Sequence, residues 1–129
     1  MKIILLFLTF LLPFGALASS KWVHVSANHH ASYYVDTDSI RAVEGYVLFW
    51  DMGDLFGPVG EGIIAIKSYN KADCEKFLIK TIKTSFHKKR MAADNVIALD
   101  ATNNKWKKPA NNSASAKILN FVCGHPQIN

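Results

Sequence analysis

Val43-Glu44-Gly45-Tyr46-Val47-Leu48-Phe49-Trp50-Asp51-Met52 is the stretch that decides the fold. Beyond Gly45 it is a run of aromatic and β-branched side chains, which suit a pleated, half-buried surface better than a helix. Working outward, the same signal recurs on both sides. Lys21 to Ser26 alternates with the period of two that a strand requires, Trp22 and His24 on one face and Val23 and Val25 on the other. Asn28-His29-His30 then reads as a turn, and Ser32 to Asp36 as a strand rich in Tyr and Val. It stops at Asp36-Thr37-Asp38-Ser39, where short polar side chains bond to the backbone and close a turn.

On the C-terminal side, Gly57-Pro58 and Gly60 mark residues 53–62 as a mobile loop between strands. Ile63 to Tyr69 is the next strand, with Ile64, Ile66 and Ser68 opposite Ile63, Ala65, Lys67 and Tyr69. The turn expected over Asn70 to Asp73 delivers Cys74. From Phe77 to Phe86 the pattern fits helix or strand, and the β-branched Ile79, Thr81, Ile82 and Thr84 favour strand. His87-Lys88-Lys89-Arg90 is read as a basic tip, Asn95 to Leu99 as one more short strand, and Asp100 to Lys105 as a turn. Finally Ala114, Ile118, Leu119 and Val122 recur at helical spacing, with Ser113 as N-cap and Gly124 and Pro126 as the stop. The expectation is an α+β domain, mainly an antiparallel meander of about five to six strands closed by one C-terminal helix.

The N-terminus reads as a secretory signal over residues 1–18: Lys2 is the positive n-region, Ile3 to Leu12 the apolar core, and Ala16-Leu17-Ala18 the small-residue cleavage site. The apolar stretch falls short of the roughly 20 residues of a spanning helix, so no transmembrane segment is expected. No Cys follows the cleavage site, so a lipid anchor is not expected either. Residues 19–129 then form a single domain, exported to the periplasm or the cell surface. In such a compartment Cys74 and Cys123 are expected to form a disulfide, with a bridge between two copies as the alternative. A homodimer is therefore carried as an expectation.

Lys and Arg number 15 against 10 Asp and Glu, for a formal net charge of +5. An exported basic chain favours anionic partners such as polysaccharide. Nucleic acid is not expected, since the compartment and the lack of a recognition motif both argue against it. Two clusters, Lys88-Lys89-Arg90 and Lys105-Lys107-Lys108, are the candidate contacts for an anionic partner, on the expectation that they converge as loops at one end of the sheet.

Catalytic chemistry finds little support. Asp36 and Asp38 are explained by turn bonding, and Ser39 and Ser113 by capping. His29 and His30 are read as a solvated turn; adjacent residues on a strand would point to opposite faces, and no Cys or carboxylate lies at ligand spacing, so neither metal nor cofactor is expected. Trp22, Trp50 and Trp106 are expected in the core rather than on a ligand platform.

The order of landmarks carries one more inference. Trp22-Val23, Tyr33-Tyr34-Val35-Asp36, Ser39-Ile40-Arg41, a Val-rich strand ending in Trp50, Ser68, Asp73-Cys74, Trp106 with Pro109, Ser113 and Val122-Cys123 follow one another in an arrangement that resembles the surface-adhesin protein E family. The resemblance runs from Trp22 to Cys123. It implies a mostly antiparallel sheet with a helix, the Cys74–Cys123 disulfide, and attachment to a host extracellular-matrix protein. The expected function is thus a non-enzymatic binding module that engages a matrix protein or anionic glycan through sheet edges and basic loops. The alternative is a periplasmic envelope-accessory or small-ligand protein, for example one that binds haem beside an exposed His and Tyr33 or Tyr34.

Overall fold

The computed structural model describes residues 20–94, the backbone of 98–100, and residues 104–125. The export signal expected over 1–18 lies outside the described residues. Among the described residues the strands are β1 (Trp22–Ala27), β2 (Ala31–Asp36), β3 (Arg41–Val43), β4 (Tyr46–Val59), β5 (Ile63–Asp73), β6 (Leu78–His87) and β7 (Ala98–Asp100), followed by α1 (Ala114–Gly124). They form one sheet in the order β1-β2-β4-β5-β6-β7, with β3 paired to β4 beside this path. Every pairing is antiparallel, as a meander demands.

Local chemistry explains the connections. Asn28 closes the first turn by accepting hydrogen bonds from the backbone amides of His30 (2.8 Å) and Ala31 (3.0 Å) through Oδ1. At the exit of β2 the Asp36 carboxylate accepts from the Asp38 amide at 3.1 Å and from the Lys21 amide at 2.9 Å, tying β1 to the turn. β2 and β3 lie end to end along the same side of β4, against Asp51–Leu55 and Tyr46–Leu48 respectively. In the gap between them Ser39 Oγ donates to the Asp36 carbonyl at 2.7 Å and accepts from the Trp50 amide at 2.9 Å, replacing a missing ladder bond. Between β3 and β4, Glu44 (φ 51°) and Gly45 (φ 84°) take the two left-handed positions that a two-residue hairpin loop requires.

Three boundaries differ from the sequence reading. Residues 53–59 belong to β4 rather than to a loop; the register breaks after Asp54, resumes at Val59 opposite Ile63, and so absorbs Gly57 and Pro58 in an irregular arm. Asn70 to Asp73 continue β5 instead of turning, and the turn comes at residues 74–77, where Asp73 Oδ1 accepts from the Lys76 amide at 3.0 Å. His87 is the buried last residue of β6, not part of a basic tip. The strand expected from Asn95 to Leu99 is found at Ala98–Asp100 in β7, residues 95–97 lying outside the described set.

α1 begins where expected: Ser113 Oγ accepts from the Ala116 amide at 3.1 Å. Its buried stripe is Ala116, Ile118, Leu119 and Val122, of which Ile118, Leu119 and Val122 pack on Val35, Val47, Phe49 and Ala72 of the sheet. Phe49, Leu119, Val35 and Val122 are fully buried. The Cys74–Cys123 bond joins the β5–β6 turn to the last turn of this helix, with a sequence separation of 49.

Closing a loop of that length removes denatured-state entropy worth about 4 kcal/mol in the chain-entropy model. Reduction of the bond, or the paired change Cys74→Ser with Cys123→Ser, is accordingly expected to lower the thermal midpoint by more than about 10 °C, read by circular dichroism. Leu119→Ala with the bond intact should cost about 2–5 kcal/mol in a urea titration.

Candidate functional site

Alternation along each strand sends successive side chains to opposite faces, so Phe49 and Trp50 cannot both face α1. Phe49 does, and Trp50 therefore points away. The registers Trp50↔Tyr69, Tyr69↔Lys83 and Lys71↔Lys80 extend the same outward face across β4, β5 and β6. Trp22 of β1 joins it, and the segment after β7, bridged to β6 at Ile79↔Lys107, adds Trp106.

On this face aromatic rings and lysines interleave. Lys67 Nζ lies 5.7 Å from the centre of the Trp22 ring and 5.0 Å from that of Trp50. Lys83 Nζ bridges Trp50 (5.1 Å) and Tyr69 (5.5 Å). Lys71 sits 4.2 Å above Tyr46 and Lys80 4.6 Å above Trp106, while Tyr46 and Trp106 stack on each other at 5.6 Å. Each such contact is worth about 0.5–1 kcal/mol at an exposed site. The lysine stems cover ring surface while their charged ends stay in water.

The expectation that the three tryptophans form the core is corrected by this placement: all three are half-buried and lie opposite the helix. The core on the α1 side is filled instead by Phe49 and aliphatic side chains. The lysines of this face were not anticipated as a group, although the alternation Lys67-Tyr69-Lys71 along one strand carried the signal.

The two basic clusters do not converge. Lys88, Lys89 and Arg90 follow the end of β6, whereas Lys107 pairs with Ile79 at its start. Eight residues of strand separate the two points, about 26 Å. Arg90 is also engaged, its Nη1 donating to the Leu55 carbonyl at 2.7 Å and lying 3.5 Å from Asp54. Lys88, Lys89, Lys105, Lys107 and Lys108 are exposed.

After β6 the chain folds back over the far end of this face and buries Met52. The Met91 amide donates to Asp54 at 2.8 Å. Beneath the loop, Ser85 Oγ and His87 Nε2 are 2.8 Å apart, and His87 Nδ1 and Asp94 Oδ1 3.1 Å apart. This has the connectivity of a hydrolytic Ser-His-Asp set. Ser85 and His87 are only 3% and 2% exposed, however, which leaves the hydroxyl no room to meet a substrate. The chain acts as a pin for the loop. The Lys88 amide, donating to Asp94 at 3.0 Å, holds that carboxyl below its ordinary range, with His87 adding to the effect.

On the other face α1 covers only one end of the sheet. The rest forms a cleft of about 1060 Å³ between the start of α1, residues 105–110 and β4–β6. Its floor includes Asp51, Ser68, Asn70 and Thr81. Asn70 is held by its own bonds, donating to the Ser68 carbonyl (3.3 Å) and accepting from Thr81 Oγ1 (2.9 Å). Burial pushes the Asp51 carboxyl up to about 7, against a lowering hydrogen bond from Asn70. Gly53 on this floor lies close under Tyr33, so that a Cβ there would sit 3.3 Å from the ring and require it to shift slightly.

Together the disulfide-stapled sheet and helix, with an accessible aromatic and cationic face, define a small α+β module. The sequence profile of the surface-adhesin protein E family matches residues 22–124, and the chain belongs to that family. Among solved structures, crystal form II of Haemophilus influenzae protein E superposes with a TM-score of 0.58 at 15% identity, covering 79% of this chain and 86% of that one. Another structure of the same H. influenzae protein gives 0.58 and 15%, with 79% and 83% covered. Protein E from non-typeable H. influenzae gives 0.56 at 14%, covering 84% and 79%. At these identities the likeness establishes the fold. No functionally curated protein matches the chain. Membership of a surface-adhesin family supports an exported or surface location, and among the described residues no helix is long and apolar enough to cross a membrane.

Two electrostatic outcomes follow from these sites. Between the ordinary carboxylate range near 4 and about 7, the folded state retains a proton on Asp51 that the unfolded chain has lost, so this group makes stability fall as pH rises through that window. Asp51→Asn should raise the urea midpoint at pH 8 and leave it nearly unchanged at pH 4. Asp94 works in the opposite sense: its stabilisation is present above the ordinary range and is lost as pH falls through its lowered value. Asp94→Asn or His87→Gln should speed amide hydrogen exchange in residues 88–94 at neutral pH and leave exchange in β4 and β5 at the wild-type rate.

Proposed function

We propose that this protein is an exported adhesive module, without catalysis, that attaches to an anionic glycan through the aromatic and lysine face rather than through the two basic loops. The observation that supports it is the interleaving of Trp22, Trp50 and Tyr69 with Lys67 and Lys83 on one accessible surface. Aromatic planes pack against the apolar C–H faces of sugar rings, and lysine ammoniums between them meet carboxylate or sulfate groups. A sheet lays these elements out at its strand spacing of about 4.8 Å, so several contacts form along one extended polymer. The closed-off Ser85–His87–Asp94 chain agrees with a module that binds and does not hydrolyse. Membership of the surface-adhesin protein E family supports attachment to a host surface as the setting for this contact.

Retention on immobilised heparin tests the reading. The wild-type protein should elute at a salt concentration well above that of a neutral control column, because exposed charge pairs are screened by salt. Trp50→Ala and the pair Lys67→Gln with Lys83→Gln should each weaken binding about tenfold, a change of about 1.4 kcal/mol. Lys88→Gln with Lys89→Gln should change it less than about threefold, in keeping with a loop set apart from the face. Elution of the face variants at the wild-type position would reject the proposal.

A further inference from the structure

The cleft beneath α1 lies on the opposite side of the sheet from the glycan face, and its chemistry differs. It carries both signs of charge: Asp51 on the floor, and Lys105, Lys107 and Lys108 at the exposed side. We propose that this cleft binds a short zwitterionic peptide, with the ligand's ammonium on Asp51 and its carboxylate among the rim lysines.

Five observations carry the inference. Among the described residues no cationic side chain pairs with Asp51, whose resolved partner is the Asn70 amide. An ionised carboxylate has about four lone-pair sites, so one amide donor leaves most of its accepting capacity for a ligand. Asn70 is itself held by Ser68 and Thr81, so it orients the carboxyl and cannot swing away. The floor is thus a preorganised acceptor that is poorly solvated and lacks a cation, and an incoming ammonium relieves that state. The three lysines lining the same cleft supply the opposite charge, which selects a ligand bearing both signs over a simple amine or a simple acid. The lining mixes polar Ser68, Asn70 and Thr81 with apolar Ile66, Ile79 and Ile118, so apolar surface is available to a ligand side chain. A volume of about 1060 Å³ lies just above the roughly 300–1,000 Å³ usual for small-molecule sites, which fits a short peptide better than a single amino acid.

The titratable groups facing Asp51 across the cleft are Tyr33 on β2 and Lys105, Lys107 and Lys108 on the segment before α1; the lining residues of β5, β6 and α1 are not ionisable. Ammonium binding therefore strengthens as Asp51 ionises, from pH 5 to pH 8.

The experiment is a two-dimensional amide NMR titration of the isotope-labelled protein with glycyl-leucine, N-acetyl-glycyl-leucine and glycyl-leucinamide. Glycyl-leucine at pH 8 should shift Asp51, Ser68 and Asn70 in a saturable way and bind at least tenfold more weakly at pH 5. The acetylated form, lacking the ammonium, should bind at least tenfold more weakly than the free dipeptide, and the amidated form several-fold more weakly. Asp51→Asn, close to isosteric, should abolish the preference for the free over the acetylated dipeptide. Lys105→Ala with Lys108→Ala should abolish the preference for the free over the amidated one. Trp50→Ala should bind the dipeptide as the wild type does, which separates this site from the glycan face. Absence of cleft shifts in the wild type, or equal affinity for the free and acetylated dipeptides, would overturn the proposal.

Discussion

The packing of α1 against Phe49 and Val35 is the contact on which the rest of the domain depends. A single sheet can bury one face only if something covers it, and here one helix of 11 residues provides the cover. Leu119 and Val122 are fully excluded from water in that contact, and the Cys74–Cys123 bond holds the end of the helix on the sheet. Everything accessible on the molecule follows from how little of the sheet that helix reaches. The uncovered part of the same face becomes the cleft over Asp51, and the whole opposite face is left to be made compatible with water by other means.

Those means are the lysines. Trp50 and Tyr69 on a bare sheet face would form the sort of apolar patch that drives association. Lys67 and Lys83 lie across them, so the rings are partly covered without being buried. At the far end of the face the solution is different, for Met52 is roofed by the chain after β6 and pinned there by Asp94, His87 and Ser85. One sheet face thus has a structural half and an open half.

Much of this was legible in the sequence because short-range rules govern it. The β-branched and aromatic runs gave the strands, Ser113 the start of α1, and the Asp36 to Ser39 cluster its turn. The family resemblance was legible from the order of landmarks. The Cys74–Cys123 pairing followed from there being two cysteines in a chain read as exported. What escaped depends on long-range placement. Residues 53–59 carry glycine and proline and read as a loop, yet pairing with β5 draws them into an irregular strand. The tryptophans read as core because bulky aromatics usually are, and only the parity of Trp50 relative to Phe49, once the helix has chosen a face, turns them outward. Asp94 and His87 sit 7 residues apart around a loop, and no local pattern announces that they meet.

The position of the disulfide also decides how the domain carries tension. A pull between the two ends of the folded chain runs through β1 to β5, reaches Cys74, and passes directly through the sulfur bridge to Cys123. β6, β7 and nearly all of α1 lie in the loop the bridge bypasses, across a sequence separation of 49, and are off the covalent path of the load. That loop holds about 170 Å of contour length at 3.4–3.5 Å per residue, which stays unavailable to stretching while the bridge is intact. The covalent link thus works as a mechanical stop, limiting how far the chain can be drawn out between its two ends.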